Sequence, residues 1–236
     1  MKDPGEVDIR FAMCFPDVYE IGMSHLGIQI LYDMFNRRED VWCERVYSPW
    51  TDLDKIMREE KIPLFALESQ DPIKEFDFLG ITLQYEMCYT NVLNMLRLSG
   101  IPLYAAERGE EFPLVIGGGP CAYNPEPIAD FFDLFNIGEG EEMLVEIVRL
   151  YIKMKAENRY TKADFLHEAA RTIPGVYVPS LYDVTYNGDG TIKSYTPIFD
   201  DIPAKVEKRI IKDMDKAEFP RRVIMPYVEV VHDRIM

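Results

Sequence analysis

The 236-residue sequence predicts an α/β fold: a mostly parallel five-stranded sheet flanked by helices, with a small antiparallel hairpin appended. Over residues 9–157, short apolar runs alternate with segments whose apolar residues recur at helical spacing. This alternation is typical of a parallel sheet covered on both faces, the Rossmann-like or flavodoxin-like arrangement. After about Asn158 the alternation stops, and two strand-like runs flank the turn sequence NGDG, which indicates a hairpin.

Five apolar runs are predicted as the strands of the sheet, because each is short and ends at a polar or glycine-containing loop. These runs are Ile9–Phe15, Val41–Tyr47, Phe76–Gln84, Phe112–Gly119 and Phe131–Gly138. A further short apolar run, Pro63–Ser69, precedes the third of them. The strands are expected to begin their pairing near Ile9, Val41, Phe78, Leu114 and Leu134.

Helices are predicted where apolar residues recur every three or four positions. The predicted helices are Ile21–Arg38, Asp52–Glu60, Thr90–Gly100, Glu141–Glu157 and Thr161–Gly175. Thr51 is a candidate N-cap of the second helix, and Gly100 is expected to end the third.

The change of pattern predicts two parts of the chain, residues 1–158 and residues 159–236. The second part holds the last helix, the hairpin near Tyr182 to Tyr195, and a charged, proline-containing stretch with one more strand-like run at Tyr227–Val231. The apolar ending suggests an N-terminal piece of a longer protein.

Composition limits the classes of function. The formal net charge of −15 opposes contact with nucleic acid or anionic lipid. No stretch approaches the roughly 18 uninterrupted apolar residues of a membrane span, and the N-terminus lacks a signal core, so we expect a cytoplasmic protein.

The four cysteines, Cys14, Cys43, Cys88 and Cys121, lack the close spacing of zinc or iron–sulfur ligands. We expect reduced thiols, without a cluster or a structural zinc in this chain.

Ligands of open parallel sheets bind where the strands end, and four loops there carry unusual residues. The candidate binding residues are Asp17, Tyr19, Gly22, Thr82, Gln84, Tyr85, Gly117, Gly118, Gly119, Pro120, Gly138 and Gly140. Three consecutive glycines leave backbone amides uncovered and let a flat group lie against the main chain.

Each of these loops also has an ordinary structural interpretation. Asp17 suits a turn or an N-cap, Gly22 allows close helix packing, and glycine triplets occur in tight turns. Three acidic residues, Glu139, Glu141 and Glu142, complement a helix dipole and make a phosphate anion an unfavourable ligand there.

Three stretches together carry a resemblance to a known family: PDVYEIGMSHLGIQILYDMFN, LGITLQYEMCYTNVLNML and VIGGGPCAYNPEPIADFFDLFNIGEGEEMLVEIV. They resemble the N-terminal cobalamin-binding-type domain of radical S-adenosylmethionine (radical SAM) proteins, over roughly Ile9 to Glu157. The resemblance implies a cobalamin cofactor for this part. It implies a 4Fe-4S iron–sulfur cluster and S-adenosylmethionine only in a downstream radical SAM domain, the expected partner, which lies outside this chain.

In the family that this chain resembles, a histidine of the first loop usually binds cobalt from below, and this chain lacks that histidine. The family pattern Asp-x-His-x-x-Gly corresponds here to Asp17, Tyr19 and Gly22. Tyr19 cannot replace that ligand because a neutral phenol is a poor donor, so the cobalt would carry water or nothing below. His25 is expected on the surface of a helix or packed against it.

Three functions stay open at this stage. The chain is a cobalamin-binding module of a radical enzyme, with no catalytic residues of its own, or a scaffold that docks the radical domain without a ligand. The apolar and aromatic residues from Tyr85 to Tyr89 favour the scaffold. An independent flavodoxin-like small-molecule binder has only fold analogy in its favour.

Overall fold

The computed structural model describes residues 2–220 and 224, and the predicted run at Tyr227–Val231 lies outside them. Its main sheet has the strand order β2-β1-β3-β4-β5-β6, and a separate two-stranded sheet pairs β7 with β8. The strands are β1 Ile9–Phe15, β2 Val41–Tyr47, β3 Phe78–Thr82, β4 Leu114–Gly118, β5 Leu134–Asn136, β6 Val176–Tyr177, β7 Tyr182–Tyr186 and β8 Ile192–Pro197.

The prediction of five parallel strands is confirmed, and β6 is an addition to it. Strands β1 to β5 pair in parallel, whereas β6 joins β5 antiparallel, with Phe135 opposite Tyr177. Gly175 (φ +90°) reverses the chain just before β6, and its carbonyl accepts a hydrogen bond from the Ile137 amide at 2.8 Å. β6 has only two residues, so its sequence shows no alternation of apolar and polar residues that would distinguish it from the hairpin that follows.

Six α-helices surround this sheet in the described residues, and the predictions for the first two helices were partly wrong. They are α1 Tyr19–Gly22, α2 Leu26–Asn36, α3 Thr51–Glu60, α4 Tyr89–Leu98, α5 Gly140–Ala156 and α6 Lys162–Thr172. The predicted single helix Ile21–Arg38 is in fact α1 and α2, separated at Met23–His25. His25 is the N-cap of α2 and not a residue inside a helix, because its extended backbone lets the imidazole cap the first turn. The N-cap of α3 is Trp50, and Thr51 is the first helical residue.

The run Pro63–Ser69 forms no strand; instead it helps to cover the outer edge of β2. The Leu67 amide donates to the Arg45 carbonyl at 2.9 Å, and the Glu68 carboxylate accepts from the Arg45 amide at 2.7 Å. The Asn36 carboxamide pairs with both the amide and the carbonyl of Cys43. These contacts occupy backbone groups that an edge strand would otherwise offer to another chain.

Aromatic side chains attach α2 and α5 to the same face of the sheet. The Phe11 ring of β1 lies 4.7 Å from the Phe35 ring of α2. The Phe78 ring of β3 lies 4.8 Å from the Tyr151 ring of α5, and Phe11 and Phe78 stack at 5.7 Å. The two helices therefore lie side by side over β1 and β3, and the space between them continues toward the carboxyl ends of the strands.

The parts of the chain after residue 158 pack on this core. Phe165 of α6 is fully buried and its ring meets Tyr151 edge-on at 5.5 Å. Tyr182 and Tyr195 of the predicted hairpin stack at 4.7 Å, and Tyr177 of β6 lies 5.3 Å from Tyr182. A boundary near residue 158 stays a prediction. Among the described residues, no helix is long and apolar enough to cross a membrane.

Burial raises the pKa of all four cysteine thiols. Because the thiolate is the reactive form, we expect iodoacetamide to modify Cys14 and Cys43 at least about tenfold more slowly in the folded protein than in the unfolded chain. Cys121, which is partly exposed, should react first. A timed alkylation at pH 8 followed by mass spectrometry measures this, and equal rates with and without urea would contradict it.

Candidate functional site

A cavity of about 300 Å³ lies at the carboxyl ends of β1, β3, β4 and β5, between α2 and α5. Its floor is a row of paired strand residues, in which Thr82 of β3 lies opposite Gly118 of β4 and Asn136 of β5 follows. At this edge of an open parallel sheet, β1 and β3 are neighbours and the strand order reverses between them, which is where such folds bind ligands.

The walls of the cavity are apolar. Ile28 and Leu31 line it from α2, Leu144 lines it from α5, and Met13 and Ile116 line it from the sheet. Pockets for small organic ligands are mostly apolar, with a few polar groups that fix orientation. The polar side chains in this lining include Thr82, Gln84 and Asn136, and the Gln84 amide already donates to the Thr82 hydroxyl.

The rim of the cavity is acidic. Gly138, Glu139, Gly140 and Glu141 form it at the start of α5, and the described residues of the lining include neither lysine nor arginine. Carboxylates in the first turn complement the helix dipole and occupy the place where an anion would otherwise bind. The cavity therefore suits an uncharged or cationic group better than a phosphate.

The three consecutive glycines at the end of β4, Gly117 to Gly119, have three different roles. A Cβ at Gly117 would lie 2.5 Å from the Phe135 ring, so Gly117 is needed for packing on the face away from the cavity. Gly119 has φ +96° and a Cβ there would lie 3.0 Å from the Leu83 carbonyl oxygen. At Gly118, a Cβ would meet only the Asn136 Cβ, at 3.9 Å. Only Gly118 therefore leaves open space at the cavity floor.

Gly138 lies against the chain segment that returns to the sheet after the hairpin, and this contact explains why the position is glycine. Its φ is +121°, and a Cβ would lie 2.2 Å from the Arg209 carbonyl oxygen. The Arg209 amide donates to the Ile137 carbonyl at 2.9 Å, and the Arg209 carbonyl accepts from the Glu139 amide at 3.1 Å. Gly138 lines the cavity rim, but its bare backbone is required by Arg209.

Of the twelve predicted binding residues, the cavity brings together Thr82, Gln84, Gly118, Gly119, Pro120, Gly138 and Gly140. The other five are not in its lining. Gly117 packs on Phe135, and a Cβ at Gly22 would lie 2.6 Å from the rings of Phe15 and Tyr47. The interpretation of Gly22 as a close-packing residue is therefore confirmed.

The remaining three lie on the loops above β1 and β3. The Tyr85 hydroxyl donates to the Asp17 carboxylate at 2.7 Å, and this hydrogen bond raises the pKa of Tyr85. The Tyr19 ring meets the Tyr47 ring edge-on at 5.2 Å. Asp17 and Tyr85 join two loops next to the cavity, while Tyr19 lies toward β2.

Two of the polar cavity residues, His25 and Asn136, were not among the predicted binding residues. His25 lines the cavity from the N-cap of α2, where its Nδ1 accepts from the Ile28 amide at 3.3 Å. In a neutral imidazole the proton is then on Nε2, which can donate a hydrogen bond but cannot bind a metal. Asn136 is 4% exposed, and its Oδ1 has no hydrogen-bond partner in the part of the chain that the structure describes. An asparagine in an otherwise apolar strand, LFN, was the available signal.

Residues 27–179 match the family described as the N-terminal part of radical SAM proteins. The chain belongs to this family. The matched range begins in α2, includes the whole cavity apart from β1 and His25, and ends after β6. The radical SAM resemblance is thereby confirmed.

One curated relative is the uncharacterized protein MJ0966 of Methanocaldococcus jannaschii, which is 26% identical over 140 residues. These residues make up 58% of this chain and 26% of that protein, so the chain spans about a quarter of the relative's length. Two solved structures of the cobalamin-dependent S-adenosylmethionine radical enzyme OxsB are similar at 12% identity and a TM-score of 0.44. They cover 84% of this chain and 24% of OxsB, and that score is too low to support an inference.

Proposed function

We propose that this radical SAM N-terminal module binds a corrinoid, and that the cavity between α2 and α5 holds the nucleotide arm of cobalamin. The observation that carries the proposal is the open floor at Gly118 in an apolar cavity at the carboxyl edge of the sheet. The macrocycle itself would lie outside the cavity, against the loops that follow β1, β3 and β4.

Size and lining fit an arm and not a whole corrin. A volume of about 300 Å³ is at the lower end of the range for small-molecule pockets, which suits a flat base with its sugar. The apolar walls from Ile28, Leu31 and Leu144 match the faces of such a base. The acidic rim at Glu139 and Glu141 opposes a phosphate inside the cavity, so the uncharged base and its sugar would enter and the single phosphodiester of the arm would lie outside the rim.

The residues around the cavity would position the cofactor and would not take part in chemistry. When bound, the corrinoid supplies a cobalt centre for methyl or radical transfer. The loop after β1 offers Tyr19 in place of a histidine, and Nδ1 of His25 is occupied by the Ile28 amide. We therefore propose that no side chain of the first loop binds cobalt through nitrogen.

The 4Fe-4S cluster and S-adenosylmethionine are proposed for a downstream radical SAM domain, which would be the partner of this module. Within residues 2–220, no three His, Cys, Asp or Glu side chains come together closely enough to hold a metal ion. The whole protein's substrate and reaction would be set by that other domain.

The proposal is tested with the purified chain, hydroxocobalamin and a Gly118→Val variant. We expect the wild type to retain cobalamin through gel filtration, with a visible spectrum that shows no nitrogen below the cobalt, because the base is in the cavity. In Gly118→Val the added side chain fills the floor, and we expect the affinity for cobalamin to fall at least about tenfold. Equilibrium dialysis measures both affinities.

Gly188→Val is the matched control, since Gly188 is at the hairpin turn and a Cβ there meets nothing within 4 Å. It should bind like the wild type. Thermal unfolding should show that both variants fold. Equal affinity of Gly118→Val and the wild type, or a spectrum with nitrogen still bound below the cobalt, would reject the cavity as the site of the arm.

A second function, docking of the radical domain without a ligand, is favoured by exposed apolar side chains. Met87 is 83% exposed and Tyr85 41% exposed on the loop after β3, and Trp50 is 65% exposed before α3. Exposed apolar groups of this kind mark interaction surfaces. No retention of cobalamin by the wild type, together with weaker association of a Met87→Glu module with the downstream domain, would favour docking alone.

A further inference from the structure

Asn136 is a buried side chain of the cavity whose Oδ1 has no hydrogen-bond partner among the described residues. The residue is 4% exposed, and no described residue or backbone group pairs with its Oδ1. It ends β5, where it lies opposite Val176 of β6. Buried amides are nearly always hydrogen-bonded, so an unpaired one in a binding cavity indicates a group that arrives with the ligand.

Two positions that flank Asn136 carry no side chain. A Cβ at Gly118 would lie 3.9 Å from the Asn136 Cβ, and a Cβ at Gly140 would lie 4.0 Å from its Nδ2. Both positions are glycine, so neither side chain covers the amide. The nearby Thr82 hydroxyl already accepts from Gln84, and a lone water would find few other partners among the apolar walls.

We infer that Asn136 selects the base of the bound arm, and that the cavity prefers a base with a hydrogen-bond donor and acceptor on one edge, as adenine has. This inference rests on the proposed function. A carboxamide presents one acceptor and two donors, so its oxygen can accept from the adenine amino group while its NH2 donates to the adjacent ring nitrogen. Dimethylbenzimidazole, the base of cobalamin, presents methyl groups on its outer edge and would leave Asn136 unpaired.

The test compares three ligands by equilibrium dialysis: a cobamide with adenine as its lower base, cobalamin, and adenosine. We expect the wild type to bind the adenine cobamide about tenfold more tightly than cobalamin, which corresponds to about 1.4 kcal/mol. In Asn136→Leu, which keeps a similar volume without polar atoms, the two cobamides should bind equally. Asn136→Ala provides a second variant should the leucine not be accommodated.

Asn124→Leu is the matched control, because Asn124 is exposed in the loop after β4 and outside the cavity lining. It should keep the tenfold preference. Equal affinity of the wild type for both cobamides overturns the inference, as does a preference that survives in the Asn136 variants.

The adenosine measurements separate this inference from the proposed function. Adenosine binding that depends on Asn136, without retention of either cobamide, would support base selection and reject the corrinoid. Tight binding of both cobamides without discrimination would reject only base selection. Failure of all three ligands to bind would reject both.

Discussion

Replacing Asp133 with alanine is expected to lower the free energy of unfolding by about 3–5 kcal/mol, because it leaves a buried positive charge without its partner. Asp133 precedes β5 and is 3% exposed. Its carboxylate accepts from the Arg108 guanidinium at 3.2 Å and from the Val115 amide at 2.7 Å, and pairs with Lys162 at 2.8 Å. Burial lowers the pKa of Arg108, and Asp133 opposes that change. Urea unfolding followed by circular dichroism measures the loss.

Glu157→Ala is the control, since Glu157 pairs with Arg159 at 3.0 Å on the surface and its loss should cost less than about 1 kcal/mol. A double variant, Arg108→Met with Asp133→Leu, removes the buried ion pair but leaves Lys162 and the Val115 amide without their acceptor, so it should recover only part of the lost stability. An Asp133→Ala protein within 1 kcal/mol of the wild type would show that solvent reaches this cluster.

The parallel strands could be predicted because each one is encoded by its own short run of residues. Each parallel strand is a run of apolar residues that is buried on both faces, and β1 and β2 begin and end where the sequence indicated. The features that were not predicted, β6 and the division between α1 and α2, depend on specific contacts that an apolar pattern does not reveal. β6 exists because Gly175 turns the chain back onto Ile137. The division between α1 and α2 follows from the capping of α2 by His25.

The sequence predicted which loops form the candidate site, but it did not predict which residues of those loops line the cavity. The strand ends and their glycines identified the correct edge of the sheet, and the sequence could not separate Gly118 from Gly117. That difference is set by the Phe135 ring, which fills the space beside Gly117. Asn136 was missed because a single polar residue at the end of an apolar strand is indistinguishable from a strand end in solvent.

The return segment, residues 207–213, lies against the same turn that forms the cavity rim. The Arg209 guanidinium pairs with Glu142 at 2.9 Å and with Glu146 at 2.8 Å, both on α5, and the Ile211 amide donates to the Glu139 carboxylate. Residues 138–141 thus contact the cavity on one side and the return segment on the other. We expect changes in this turn to affect the path of the chain beyond residue 207.

Gly138→Ala is expected to detach the return segment from α5. An alanine at φ +121° is strained by about 1–3 kcal/mol, and its Cβ would lie 2.2 Å from the Arg209 carbonyl oxygen, where only backbone can give way. Because Gly138 follows β5 and is outside the strand pairing, the main sheet should stay folded. Brief trypsin treatment should cleave after Lys208 or Arg209 about tenfold faster than in the wild type, since 1.4 kcal/mol of local destabilisation raises the open population tenfold.

Gly140→Ala is the matched control two residues away. Its Cβ would meet only Leu144 and Asn136, at 3.6 Å and 4.0 Å, and alanine is the better helix former at the start of α5. Trypsin should therefore cut Gly140→Ala no faster than the wild type in this segment. Equal protection of Gly138→Ala would mean that the return segment tolerates a Cβ by shifting as a unit. The contact between Gly138 and Arg209 would then not hold the segment in place, and the ion pairs of Arg209 with α5 would carry that role instead.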